Sequence, residues 1–123
     1  SGYYPIGDWD RQLDRIESVV RRYGKPFLFM EAGCPSRTGS ANVPNDWTLQ
    51  GAVNEAEQAE YYRTMLEKCG ARDWVRGLML WDWPARLYDR SQAATNDGYC
   101  IYGKEAETVV AEAYAAKLNA IER

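Results

Sequence analysis

The chain has 123 residues, 46% of them hydrophobic, which is enough for one domain with a packed core. Its net charge of −3 comes from 15 basic and 18 acidic side chains with the signs interspersed, which speaks against a nucleic-acid surface, and no apolar run approaches the roughly 20 residues that cross a bilayer. Histidine is absent from the sequence, so Ser-His and Cys-His nucleophilic pairs, imidazole zinc sites and histidine proton shuttles are excluded, and acid-base work falls to carboxylates, tyrosines or lysines.

The first predicted element is a helix from about Trp9 to Tyr23. Trp9, Leu13, Ile16, Val20 and Tyr23 recur at the spacing of one buried face. Asp8 is the expected N-cap, and Gly24 with Pro26 stops the helix. Phe27 to Gly33, "FLFMEAG", then reads as a short strand, too uniformly apolar for a surface hairpin and expected to be covered on both faces. It finishes on a carboxylate, Glu31.

Residues 34–53 carry Pro35, Gly39, Pro44 and Gly51 among Ser, Asn and Asp, and read as a long irregular loop of the kind that is often functional. Trp47 in this loop is a candidate substrate-binding residue. Asn54 and Glu57 resemble a capping box that opens a second helix through Cys69. Its inward stripe is Ala59, Tyr62, Met65, Leu66 and Cys69, with Gly70 expected as the left-handed residue that ends it. "WVRGLMLWDWP" is the second predicted strand, stopped by Pro84, and a further long loop, Ala85 to Gly103, leads to a last helix from about Lys104 to Ile121. Ala106, Val109, Val110, Ala113, Tyr114 and Leu118 are its candidates for burial, and the tail after Ala115 reads as a solvated end.

An αβαβα order with short apolar strands is the pattern of an α/β fold with parallel strands. The connections leaving the strand carboxyl ends are long and those entering the strands are short. In parallel α/β folds the former build the active site and the latter serve stability. Glu31, Trp81, Asp82 and Trp83 all fall at the functional end. A carboxylate there has a salt-bridge partner or a chemical task. Trp81 and Trp83 stand two apart and, in a strand, would share one direction. Aromatic plates beside a carboxylate suit a sugar, whose ring offers an apolar face to stack on and hydroxyls to bond. The plainer reading of these tryptophans is core filling.

These residues also carry a resemblance. "SGYYPIG", "GKPFLFMEAG", "RGLMLWDWP" and "YGKEAETVV", in this order, resemble the last quarter to third of a clan A (β/α)₈ glycoside hydrolase, and most closely glycoside hydrolase family 113, whose characterised members are β-mannanases. The resemblance spans nearly the whole chain and implies that residues 1–123 are the C-terminal portion of a single TIM-barrel domain. It implies that Glu31 is the nucleophile and that Tyr4, or its neighbour Tyr3, contacts it. Trp81 would form the floor of the sugar subsite, with Trp83 as a second stacking residue and Asp82 a further substrate-binding candidate.

The same resemblance places the acid/base after strand four, upstream of Ser1. The "NE" pair at Asn54 and Glu55 reads as a helix cap instead, and Asp82 alternates with Trp81 and should point away. A complete barrel takes about 250 residues, so this chain would be half of one or less and inactive alone. The partners expected are an oligo- or polysaccharide, together with either the missing barrel part or a second copy covering the open sheet edges. Neither a metal nor a cofactor is implied. The alternative is a non-catalytic, glycosidase-like module of the phage-tail or gene-transfer-agent type, which binds cell-wall glycan or serves in assembly. A small doubly wound domain is disfavoured by the lack of a Gly-rich phosphate loop after either strand. Cys34, Cys69 and Cys100 are odd in number and widely spaced. They read as free thiols, which, with no signal segment opening at Ser1, favours a cytoplasmic chain.

Overall fold

The computed structural model describes residues 8–122, so Tyr3 and Tyr4 lie outside the described residues. The elements run α1 (Trp9–Tyr23), β1 (Phe27–Ala32), α2 (Glu55–Gly70), β2 (Val75–Leu80) and α3 (Glu105–Ile121), in the expected alternation. Asp8 caps α1 by accepting from the Arg11 backbone N–H at 3.0 Å. Gly24 ends the helix in a left-handed conformation, φ 60°, that returns its own N–H to Val20 O at 2.8 Å.

β1 and β2 form a parallel pair, with Phe27 opposite Val75 and Ala32 opposite Leu80. One face of the pair carries Phe27, Phe29, Val75, Leu78 and Leu80 onto a core built around Leu13, Tyr62 and Met65, all three fully buried. Each such side chain contributes about 1.5–3 kcal/mol by leaving water. The other face is open. Leu28, Met30 and Met79 are 46%, 73% and 49% exposed, which corrects the expectation that the strands are covered on both sides. Two strands backed by helices have only one covered face; the second is the one that a closed barrel turns inward.

Other boundaries shift for local reasons. β2 stops at Leu80, so Trp81 and Trp83 are not strand residues and strand alternation does not give them a common direction. Gly70 is the last residue of α2, with a right-handed cap at Ala71, whereas the glycines with positive φ among the described residues are Gly24, Gly39 and Gly103. Tyr23 is 64% exposed at the end of α1. In α3, Ala106, Val109 and Val110 are buried while Tyr114 and Leu118 are exposed. A 17-residue helix reaches about 25 Å and a six-residue strand about 20 Å, so α3, which packs against α2, is longer than either strand of the sheet.

Asn54 opens α2 by accepting from the Glu57 N–H at 3.0 Å. The Glu57 carboxylate does not complete a reciprocal box. It is buried and accepts from the backbone N–H groups of Gly39 and Ala41 at 3.0 and 2.9 Å, which ties the long loop, with its 3₁₀ turn at Ser40–Asn42, down onto α2. The short connections, residues 24–26 and 71–74, lie at the strand amino ends. The long ones, 33–54 and 81–104, lie at the carboxyl ends. Among the described residues, no helix is long and apolar enough to cross a membrane.

Candidate active site

Glu31 is the penultimate residue of β1, and Trp81 is the first residue after β2. The two strand ends are fastened there by Trp81 N–H donating to Ala32 O at 2.8 Å. Between them sits Gly33. A Cβ on this residue would lie 2.0 Å from the Trp81 carbonyl oxygen and 3.1 Å from the Tyr62 hydroxyl, so no other residue type fits without moving backbone. The Tyr62 hydroxyl donates to that same Trp81 carbonyl at 3.3 Å. The Trp81–Asp82 peptide bond is cis.

Glu31 opens into a cleft of about 530 Å³ lined by Ala32, Gly33, Pro44, Asn45, Trp47, Tyr61, Trp81 and Tyr99. Glu31 itself is exposed, and among the described residues it joins none of the ion pairs, so the salt-bridge reading of this acid finds no partner. Trp81 is 49% and Trp47 74% exposed; the two indoles and the Tyr99 ring are the aromatic surface available to a ligand beside the carboxylate. Tyr61 is buried beneath, held edge-on against Trp9 at 5.8 Å and Tyr62 at 5.9 Å. A groove of about 200 Å³ between β2 and α3 is lined by no carboxylate, and has no comparable chemistry.

The structure thus brings Glu31, Trp81 and Trp47 together. It places Trp83 elsewhere, edge-on to Tyr102 at 5.7 Å, and Asp82 half-buried outside the cleft, where its charge is felt at Tyr62 and Lys104. Glu55 accepts from the Glu105 backbone N–H at 3.1 Å and so caps α3. Among the described residues that line the cleft, Glu31 is the one carboxylate. Cys34, where the chain runs from β1 into the loop, is buried, with its thiol pKa pushed up to about 12 by desolvation, so it is a packed side chain and no nucleophile at neutral pH. All three cysteines are free and buried.

Sequence reasoning misses Tyr61 and Tyr99. Tyr61 neighbours Tyr62, through which the helical stripe runs, and a second aromatic at that point is the available signal. Tyr99 lies in an irregular loop with no periodicity to single it out. Its hydroxyl donates to Pro44 O at 2.9 Å, and burial raises its pKa. The buried Gln58 amide joins the two loops from below, donating to Cys34 O at 2.8 Å and Tyr99 O at 3.2 Å.

Comparison with known proteins supplies the context for this cleft. The family model for Glycoside Hydrolase Family 113 matches residues 1–104. Among solved structures, a GH113 β-1,4-mannanase is 60% identical with a TM-score of 0.87 over 94% of this chain, and a complex of a GH113 β-1,4-mannanase is 59% identical with the same TM-score and coverage. The GH113 β-mannanase AaManA from Alicyclobacillus acidocaldarius in complex with ManMIm is 46% identical, with a TM-score of 0.86 over 93% of this chain. The chain spans 36–37% of the length of these structures. No curated protein matches it.

Proposed function

Since the chain belongs to glycoside hydrolase family 113, we propose that it supplies the nucleophile and the aromatic floor of a retaining glycosidase acting on β-linked mannan, as the C-terminal portion of one TIM-barrel domain. The observation that carries this reading is the position of Glu31: an exposed carboxylate at the carboxyl end of a parallel strand, inside a cleft walled by Trp81 and Trp47. Tyrosine donation to it from Tyr3 or Tyr4 belongs to the same proposal, on residues outside the described range.

The chemistry follows from two carboxyl groups about 5–5.5 Å apart. One Glu31 oxygen attacks the anomeric carbon from the face opposite the leaving group. The glycosidic C–O bond breaks as a carboxylic acid from the rest of the barrel gives its proton to the departing oxygen. The product of this step is a glycosyl ester on Glu31. The same second carboxylate then takes a proton from water, whose oxygen displaces Glu31 at the anomeric carbon and restores both groups. Trp81 stacks on the apolar face of the ring at the reacting subsite, while Trp47, which lines the same cleft, faces a neighbouring sugar.

The test is stereochemical and requires a completed barrel, made by joining this chain to the portion of the 60%-identical mannanase that it does not cover. Time-resolved proton NMR of mannooligosaccharide hydrolysis by that protein is expected to show the β-anomer released first. Initial release of the α-anomer would overturn the nucleophile role of Glu31. A barrel that binds mannan and releases nothing would favour the non-catalytic module instead.

A further inference from the structure

Lys104 is buried at the N-cap of α3 and takes no part in the chemistry described above. Its ammonium group donates to Ser36 Oγ at 2.8 Å, Asn96 Oδ1 at 2.8 Å and Gly98 O at 2.9 Å. All three acceptors are uncharged, and the carboxylates of Glu55, Asp97 and Asp82 act on the ammonium only through space. Burial lowers its pKa to about 8. Taking an ammonium out of water for neutral acceptors is costly, and the arrangement persists where the group's three diverging donors do something that an apolar side chain cannot.

What they do is join the two long loops. Ser36 belongs to the loop after β1, and Asn96 and Gly98 to the loop after β2. The same two segments touch directly, Ser36 N–H donating to Gly98 O at 3.2 Å and Ser36 Oγ to Asn96 O at 2.8 Å. Each cleft wall hangs from one side of this knot. Next to Ser36, Arg37 donates to the Trp47 carbonyl at 3.0 Å and pairs with Asp97 at 2.9 Å. Next to Gly98 stands Tyr99, bonded in turn to Pro44 O.

We propose that Lys104 is a positioning residue for saccharide binding: by clamping Ser36 to Asn96 and Gly98 it fixes the separation of the Trp47 and Tyr99 walls, and hence the grip of the cleft on a sugar beyond the one at Glu31. This rests on the functional reading above, and its tests are chosen to fail separately from it. In the completed barrel, Lys104→Met keeps the stem and removes the donors. Its KM for β-mannan is expected to rise about tenfold, with kcat changed by less than about threefold. Ser36→Ala removes an acceptor with little change of volume and is expected to shift KM in the same direction, the double variant costing no more than the larger single effect. Amide hydrogen exchange gives a readout independent of turnover: in Lys104→Met the segments 36–49 and 96–100 should both exchange faster.

Unchanged KM in both variants, with faster exchange confined to residues 104–107, would overturn the proposal. So would equal losses in kcat and thermal stability without a KM effect, since that is the mark of a residue that only holds the fold. A barrel whose activity survives Glu31→Gln would instead refute the functional reading, and the exchange result would still decide whether Lys104 couples the loops.

Discussion

Glu31→Gln in the completed barrel is expected to lower kcat on β-mannan by about 10⁴-fold or more, while affinity for mannooligosaccharide stays within about threefold. The amide is nearly isosteric with the carboxylate, and Glu31 is exposed at a strand end without an ion-pair partner among the described residues, so the substitution strands no buried charge and leaves the core packing intact. What disappears is the proposed nucleophile. Glu31→Ala extends the test: with room beside the anomeric carbon, added azide is expected to restore turnover of a substrate with a good leaving group and to give the α-mannosyl azide, the product of one displacement in place of two. Measured binding separates this outcome from unfolding. Activity within tenfold of wild type in the Gln variant would remove Glu31 from the reaction.

The second large effect belongs to a residue without a side chain. Gly33→Ala is expected to lower kcat/KM by about 10²-fold and to destabilise the fold by about 1–3 kcal/mol. Its new methyl group would lie 2.0 Å from the Trp81 carbonyl, and that oxygen is backbone, fixed by Tyr62 and by the strand pairing at Ala32. Relief therefore comes only from parting the two strand ends, and these ends carry Glu31 and Trp81. Urea denaturation measures the stability change, and steady-state kinetics on the folded fraction measures the activity change. Gly24→Ala is the contrast: it meets no atom within 4 Å, its penalty is conformational alone, and it lies at the opposite end of β1, so activity should be spared.

Much of this is readable in the sequence because it is local. The ends of α1 follow from Asp8 and Gly24, whose roles depend only on the adjoining turn. The parallel α/β character follows from apolar runs alternating with helical stripes, and the functional end of the sheet from the unequal loops. Glu31 and Trp81 stand out because each terminates an apolar run. The clamp between the loops is different in kind. Glu57, Gln58 and Lys104 are polar residues whose burial depends on partners far away in the chain: Glu57 on Gly39 and Ala41, Gln58 on Cys34 and Tyr99, and Lys104 on Ser36. In sequence Glu57 looks like half of a capping box and Lys104 marks only the approximate start of a helix. Only the folded loops supply the donors and acceptors that make their burial tolerable. Trp83 misleads for a related reason. Composition alone extends the strand past Leu80, and alternation then gives the two tryptophans a common direction; the chain leaves the sheet there, and Trp83 turns to Tyr102.

The expected covalent ester on Glu31 can be observed directly. The completed barrel would be incubated with 2-deoxy-2-fluoro-β-mannosyl fluoride, whose fluorine slows both steps while the fluoride leaving group favours the first, so the ester accumulates. Intact mass spectrometry followed by peptide mapping should show one fluoromannosyl addition, on the peptide that contains Glu31. A label on another carboxylate, or continued turnover of mannan by enzyme that never takes up a label, would contradict the assignment of Glu31 as the nucleophile.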